Sequence, residues 1–220
     1  RSNAKTLNLI KHSKNFIELA EESNMFSVYE LDELKKTAVN IERKSKEEFI
    51  KKYLRNYTDE IDQFTGFALR YYKKLANMVI YFLTENDRAY TTRLNKCLFY
   101  SDFMSYKYTG NSISGYTYCA IDNGPVLDNY KRLFSELWEE EYVESVEQKF
   151  GKGTIDKFIP AKAFDKNLFN DDEVEIMRWV SDNFKFKSTE ELIELSHKEK
   201  GWIDNIAGKN SISYQQYAPL

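Results

Sequence analysis

Nucleophilic and metal-ligating side chains are few in this chain: two cysteines, Cys97 and Cys119, and two histidines, His12 and His197. The cysteines stand 22 residues apart, which fits neither a CxxC pair nor the multi-bridge framework of a small secreted domain, so the usage points to a reducing cytosol. Neither histidine has an HxxxH or CxxC neighbour, and no metal is expected. A Cys–His pair assembled in space, with His197 beside Cys97 or Cys119, would support nucleophilic catalysis. Against it, Cys97 falls on the inward face of an expected helix and Cys119 inside an expected strand, where thiols are mostly inert hydrophobes. Gly151-Lys152-Gly153-Thr154 superficially resembles a phosphate loop. It lacks the GxxxxGK(S/T) spacing and lies between two expected strands, so a hairpin turn is its expected use and no cofactor is called for. Glu139-Glu140-Glu141 falls where a helix gives way to a strand and reads as a solvated edge. No pair of carboxylates suited to glycosidase-type work stands out.

Two polar groups are harder to assign to solvent. Asp102 lies within Cys97 to Tyr106, a helical segment rich in apolar and aromatic residues, and burying a carboxylate unpaired is costly. Lys96, Arg93 and backbone amides near Gly124 are its candidate partners. His197, in Ser196-His197-Lys198-Glu199, precedes Gly201-Trp202 near a helix C-terminus, where positive charge is favoured. Structural anchoring is the first reading of both groups and partner recognition the second. An enzyme using His197 with Asp102 or a cysteine is the alternative reading of function.

The elements that position these residues follow from periodicity. The chain has 220 residues, enough for one large or two small domains with a core of their own. It carries 15 Phe, 16 Tyr and 3 Trp but only 8 Gly and 3 Pro, which excludes disorder, collagen-like repeats and a many-turned sandwich. Arg1-Ser2-Asn3-Ala4 reads as the remnant of a cleaved expression tag, and no signal peptide follows it. The longest apolar stretch, Leu75 to Thr84, is about ten residues, half of what a membrane span needs. Lys and Arg number 32 against 35 Asp and Glu, a net charge of -3. The charge is uneven: +1 over 1–60, +3 over 61–110, and -7 over 111–220, with 13 bases and 20 acids in the last. That acidic stretch disfavours phosphate contacts and suits a basic protein partner.

Residues 6–57 read as short amphipathic helices, with Leu9, Phe16, Ile17 and Ala20, then Leu31, Leu34, Ala38 and Ile41, at spacings of three and four. Ser45 and Glu48 offer a capping box to a third helix carrying Phe49, Ile50, Tyr53 and Leu54. Ile61 to Leu83 keeps the helical period for six turns and predicts one long, deeply packed helix. Thr91 or Thr92 is expected to cap the next helix, whose inward face is Leu94, Cys97, Leu98, Ser101 and Met104 or Ser105, and which ends at Thr109-Gly110. Ile113 to Ile121 alternates as a strand, Asn123-Gly124-Pro125 breaks it, and Val126 to Trp138 resumes helical spacing. Tyr142 to Lys149 and Thr154 to Pro160 predict a β-hairpin. Asn170 or Asp171 caps a helix through Phe184, and Ser188 or Thr189 with Glu191 caps another through His197. The expected fold is α+β and mostly α-helical: a helical core with a small antiparallel sheet or hairpin, plus a helical N-terminal extension.

Thr91 to Phe103, followed by Tyr106 to Val126, resembles the Panacea domain of the SocA-like antitoxins. Their pattern is a helix of the form T-x-x-x-L-x-K-L-L-Y-x-x-D, then T-G-x-x-I-x-G, a strand with Y-x-A, and G-P-V. The matching positions are Leu94, Lys96, Leu98, Tyr100 and Asp102; Thr109, Gly110, Ile113 and Gly115; Tyr118 and Ala120; Gly124, Pro125 and Val126. Cys97 stands where the family often has leucine. Ser196-His197-Lys198-Glu199 with Trp202 resembles the family's S-H-x-E-x-x-W segment, and Tyr214 to Leu220 its closing Y-x-x-A stretch. The resemblance covers roughly Tyr71 to Leu220 and implies a non-enzymatic cytosolic protein, bacterial or phage. Such a protein neutralises a toxin, expected to be encoded next door, by direct contact, and some relatives are adaptors that deliver the toxin to a protease. It makes Lys96, Tyr100, Asp102, Gly124, Pro125, Val126, His197, Glu199 and Trp202 the family-motif and partner-contact candidates. Gly124 and Pro125 are expected to form a sharp strand-to-helix turn. Catalytic, cofactor and metal residues are not expected; nucleic acid is disfavoured as a partner of this chain alone, no membrane partner is expected, and a homo-oligomer stays open. The expected organisation is a tag remnant at 1–4, a helical extension over 5–60 that covers the core or supplies partner specificity, and a Panacea-like domain over 61–220.

Overall fold

The computed structural model describes residues 17, 20–23, 26–40, 60–86, 90–150 and 153–218. The chain divides into two units, Arg1–Thr58 and Asp59–Leu220. In the first, residues 28–40 form a helix that the sequence reading leaves without a cap. Ser27 supplies it: the Glu30 N–H donates to Ser27 Oγ, and the Glu30 carboxylate accepts from the Ser27 N–H at 2.8 Å, a capping box. Leu31, Leu34 and Ala38, the expected apolar stripe, are its half-buried positions. Leu9, Phe16, Ile41 and the helix assigned to Ser45 to Leu54 lie outside the described residues.

The second unit is a mostly helical α+β domain. Helices α1 (Tyr72–Glu85) and α2 (Thr91–Thr109) lead to strands β1 (Tyr118–Ile121) and β2 (Gly124–Leu127) and to helix α3 (Tyr130–Glu139). Strands β3 (Val143–Phe150) and β4 (Gly153–Pro160) form the expected hairpin, paired from Val143 with Pro160 to Phe150 with Gly153; Gly151 and Lys152 lie outside the described residues. Helices α4 (Asp171–Phe184), α5 (Thr189–Ser196) and α6 (Lys200–Asn205), strand β5 (Ser211–Ile212) and helix α7 (Tyr214–Tyr217) complete it. The three-stranded sheet runs β2-β1-β5, antiparallel throughout. Capping boxes start both helices: of the two candidates at each start, Asn170 and not Asp171 caps α4, with Glu173, and Ser188 and not Thr189 caps α5, with Glu191. Among the described residues, no helix is long and apolar enough to cross a membrane.

The helix expected from Ile61 to Leu83 begins only at Tyr72. Asp62 Oδ1 accepts from the N–H groups of Phe64 and Thr65 at 2.7 and 3.0 Å, a local turn that competes with helix. Gly66 and Phe67 then take positive φ, 61° and 51°. The Gly66 carbonyl accepts from the Ser112 N–H and the Tyr71 N–H donates to Ser114, so this backbone is committed to the segment after α2. The same commitment shortens the strand expected from Ile113 to Ile121 to its last four residues, because the Ile113 and Ser114 N–H groups bond to the Asp102 carboxylate instead of a strand. Thr91 and Thr92 do not cap α2; Tyr90 is the N-cap residue, without a side-chain cap, and the threonines are already helical.

The helix expected from Val126 starts at Tyr130, after Asn129 at φ 55°. Gly124-Pro125-Val126 is not a strand-to-helix turn but the body of β2, reached through a two-residue turn at Asp122-Asn123. Pro125 is tolerated because β2 is an edge strand, and α2 side chains take up the edge's polar groups.

The core is layered around α2. Leu75, Met78, Val79 and Phe82 of α1 and Met177, Val180 and Phe184 of α4 are buried with Leu94, Cys97 and Leu98, each large apolar side chain stabilising by roughly 1.5–3 kcal/mol. At the other end Phe103 stacks on Tyr214 at 4.2 Å, with Phe99 and Tyr118 edge-on at 5.5 Å. Gly115, at φ 72°, lies against the Leu69 backbone so closely that a Cβ would collide with the Leu69 carbonyl. Gly115→Ala should therefore cost roughly 2–4 kcal/mol, read as the loss of unfolding free energy in urea; a loss under about 0.5 kcal/mol would show that the 66–71 and 112–115 segments do not hold each other in this way.

Candidate functional site

Helix α2 presents the motif side chains, and each reaches a different segment. Asn95 Oδ1 accepts from the Leu127 N–H at 3.0 Å, and Lys96 Nζ donates to the Pro125 carbonyl at 2.9 Å, so consecutive residues hold β2. Lys96 is wholly buried, and burial pushes its ammonium down to about 7. Gly124 sits beside it at φ 90°, where a Cβ would collide with Lys96 Nζ and Ser196 Oγ. Lys96, Gly124, Pro125 and Ser196 thus meet at one point, and Val126 packs next to them, 4% exposed.

Asp102 is also fully buried. Its carboxylate accepts from the Ile113 and Ser114 N–H groups at 2.8 Å, from Ser114 Oγ at 2.6 Å and from the Tyr118 hydroxyl at 2.7 Å. Burial pushes the acid up to about 6 and these donors pull it back. The partners expected from sequence, Lys96, Arg93 and amides near Gly124, are not the ones it uses. Six residues place Lys96 on another side of the helix. Arg93 turns to α4, donating to the Phe184 carbonyl at 2.8 Å and to the Lys187 carbonyl, where a cation meets the negative helix end.

The C-terminal motif closes on α2 and on the β1–β2 turn. The Tyr100 hydroxyl donates to Glu199 Oε1 at 2.9 Å; burial, then the Glu199 charge, raises the phenol well above its ordinary range. His197 stacks on Trp202, rings 3.8 Å apart and 11° from parallel. The indole N–H donates to the Ile121 carbonyl at 2.8 Å, and His197 Nε2 lies 3.1 Å from the Asp122 carbonyl. A carbonyl only accepts, so Nε2 carries a proton. Both rings therefore pin the β1–β2 turn.

His197 and Asp102 belong to separate hydrogen-bond networks, and His197 bonds to neither cysteine. Burial pushes the Cys97 thiol up to about 12 and the Cys119 thiol up to about 11, away from nucleophilic character. Among the described residues, no group of three or more His, Cys, Asp or Glu is placed to hold a metal. Sequence reasoning missed Asn95, Ser114, Tyr118 and Ser196 as working members of this assembly. Asn95 adjoins Lys96, and Tyr118 stands in the quoted strand motif, so the signal was position within the motifs. Two open depressions adjoin the assembly: a cleft of about 490 Å³ lined in part by Asn95, Val126 and Tyr130, and a groove of about 680 Å³ whose lining includes Tyr100.

The buried lysine makes a pH prediction. With its folded value near 7 and an ordinary value of 10.5, the folded state holds fewer protons than the unfolded chain between those pH values. Stability attributable to Lys96 therefore rises with pH across that window, by at most about 1.4 kcal/mol per unit, and its cost is present in full below about pH 7. The raised thiols act in the opposite sense, but equally in a variant. Lys96→Met should thus gain most over the unsubstituted protein at pH 7 and lose that advantage towards pH 10 in urea unfolding; a pH-independent difference would contradict this.

Comparison with known proteins follows the same residues. No curated protein and no solved structure matches significantly. The family model described as "Antitoxin SocA-like, Panacea domain" matches residues 94–203, half of the chain, from the second turn of α2 into α6. It spans Lys96, Tyr100, Asp102, Gly124, Pro125, Val126, His197, Glu199 and Trp202, the residues that hold α2, the sheet and the C-terminal helices together. The chain belongs to the SocA-like antitoxins and carries their Panacea domain.

Proposed function

We propose that this protein neutralises one cognate protein toxin by direct, stoichiometric binding, in the cytoplasm of a bacterium or a phage-infected cell, and that it does so without chemistry of its own. The family match over residues 94–203 carries this reading. Two further features support it. The motif side chains are spent on backbone and side-chain groups of the same domain, which supports a scaffold role. Residues 111–220, at -7, offer electrostatic complementarity to a basic partner, which speeds association more than it deepens affinity. Residues 61–220 are the binding scaffold in this proposal, and residues 5–60 tune the choice of partner.

Co-expression with the adjacent gene tests the reading. The neighbour alone should arrest growth, this chain should relieve the arrest, and the two should co-purify; a harmless neighbour, or arrest that persists with this protein folded and abundant, would refute it. The toxin's steady-state level separates occlusion, which leaves it unchanged, from delivery to a protease, which lowers it. His197→Ala should neutralise as well as the unsubstituted protein wherever it remains folded; a folded variant that binds the toxin and no longer neutralises it would point to catalysis. Removing residues 1–57, with folding verified by circular dichroism, should reduce neutralisation of this toxin, and unchanged neutralisation would take partner choice away from that region.

A further inference from the structure

The groove of about 680 Å³ lies between the C-terminal half of α2 and the first turns of α4, wholly within the second unit. Tyr100, Met104 and Ile176 line its floor. Tyr100 is held there by its hydroxyl bond to Glu199 and by its edge-on contact with Phe184 at 5.1 Å. A motif contact thus fixes the orientation of a ring in the groove. Two large aromatics stand in the walls and remain in water: Tyr108 is 70% exposed and Trp179 is 50% exposed. Ordinary packing does not account for two such rings facing one depression, and aromatic anchors flanking a groove are what partner-binding sites use.

Charge narrows the occupant. Asp172 and Glu175 line the α4 side of the groove, and both are exposed. Neighbouring acids on the helix are engaged: Glu173 with Lys74 at 2.5 Å, Asp171 with Lys166 at 3.2 Å and Asp182 with Lys185 at 2.7 Å. Asp172 and Glu175 make no ion pair or hydrogen bond with the described residues. Lys107 is the one base in the lining, on the α2 side, near that helix's C-terminus. The groove is thus apolar along its floor, aromatic at its walls and anionic along one edge, which repels nucleic acid and anionic lipid alike.

We infer that this groove is the docking site for a basic, apolar-anchored segment of the toxin, with an apolar or aromatic side chain seated between Tyr108 and Trp179 and Lys or Arg against Asp172 and Glu175. The inference rests on the antitoxin reading for the identity of the partner, and on the groove alone for its chemistry.

A labelled amphipathic leucine–lysine peptide, its leucine–glutamate counterpart as control, and this 220-residue chain test it by fluorescence anisotropy. The lysine peptide should bind and the glutamate peptide should not. Asp172→Lys with Glu175→Lys should weaken binding at least about tenfold, and so should Trp179→Ala. Reversal of Glu190 and Glu194, exposed acids on α5, makes the same change in net charge and should have little effect. All these side chains are exposed, and thermal melts verify that the variants fold. Equal binding of both peptides, or equal weakening by the two charge reversals, would overturn the inference. So would wild-type self-association that the Asp172 and Glu175 variant abolishes, because a second copy would then be the occupant. In co-expression, the same groove variant should lose relief of growth arrest while the Glu190 and Glu194 variant keeps it. Relief that survives the groove variant removes the docking site and leaves the antitoxin reading; peptide binding that behaves as stated, without relief by the unsubstituted protein, does the reverse.

Discussion

Helix α2 is buried along most of its length, and Arg93, Asn95, Lys96, Ser101, Asp102 and Ser105 are among its buried positions. A helix of that composition stays inside a protein only if its polar groups are met, because a buried hydrogen-bonding group without a partner costs about 1–3 kcal/mol and a charged one more. Here the partners are chiefly backbone groups: amides at 113, 114 and 127, and carbonyls at 125, 184 and 187. Those segments would otherwise carry unmet backbone groups of their own into the interior. Apart from Ser101 Oγ, which is buried without a hydrogen-bond partner among the described residues, helix and loops largely satisfy each other, and the domain's irregular parts are arranged by that exchange.

The arrangement differs from one built on ion pairs. Neither Lys96 nor Asp102 forms an ion pair with the described residues, and burial displaces both groups from their ordinary ionisation. Their role is geometric. The lysine reaches a carbonyl that a shorter side chain would not touch, past a glycine that leaves room for it. The carboxylate gathers four donors from one turn of chain, which fixes the 112–118 segment more tightly than apolar contact would.

Much of this domain was legible in the sequence where local chemistry decides structure. The caps at Asn170 and Ser188, the C-terminal glycine of α2, the β3–β4 hairpin and the inward face of α2 all follow from rules that act over a few residues. The failures all involve hydrogen bonds that periodicity does not encode. Phe64 and Ala68 keep a helical period, yet Asp62 turns the chain and Ser112 takes the Gly66 carbonyl. Ile113 alternates like a strand residue, yet its N–H belongs to Asp102. Val126 begins an apolar run that reads as helix, yet Asn95 and Lys96 capture its neighbours as an edge strand. In the first case a local Asx turn and a distant backbone amide overrode the helical period, and in the other two a distant side chain did; a period count cannot register any of these partners. The site was legible only in part for the same reason: the motif helix named Lys96, Tyr100 and Asp102, but not which segments they hold.

The clamp on the β1–β2 turn has a consequence for how the protein is made. Ile121 and Asp122 are held by Trp202 and His197, and Tyr100 by Glu199, contacts that span about 75–100 residues of chain. During synthesis the central helix and the sheet therefore emerge well before the residues that lock them, and the domain closes only when its C-terminal helices arrive. A chain interrupted before His197 carries its motif helix without its lock. The lock is therefore acquired only once translation has passed Trp202, well after the helix and sheet that it holds.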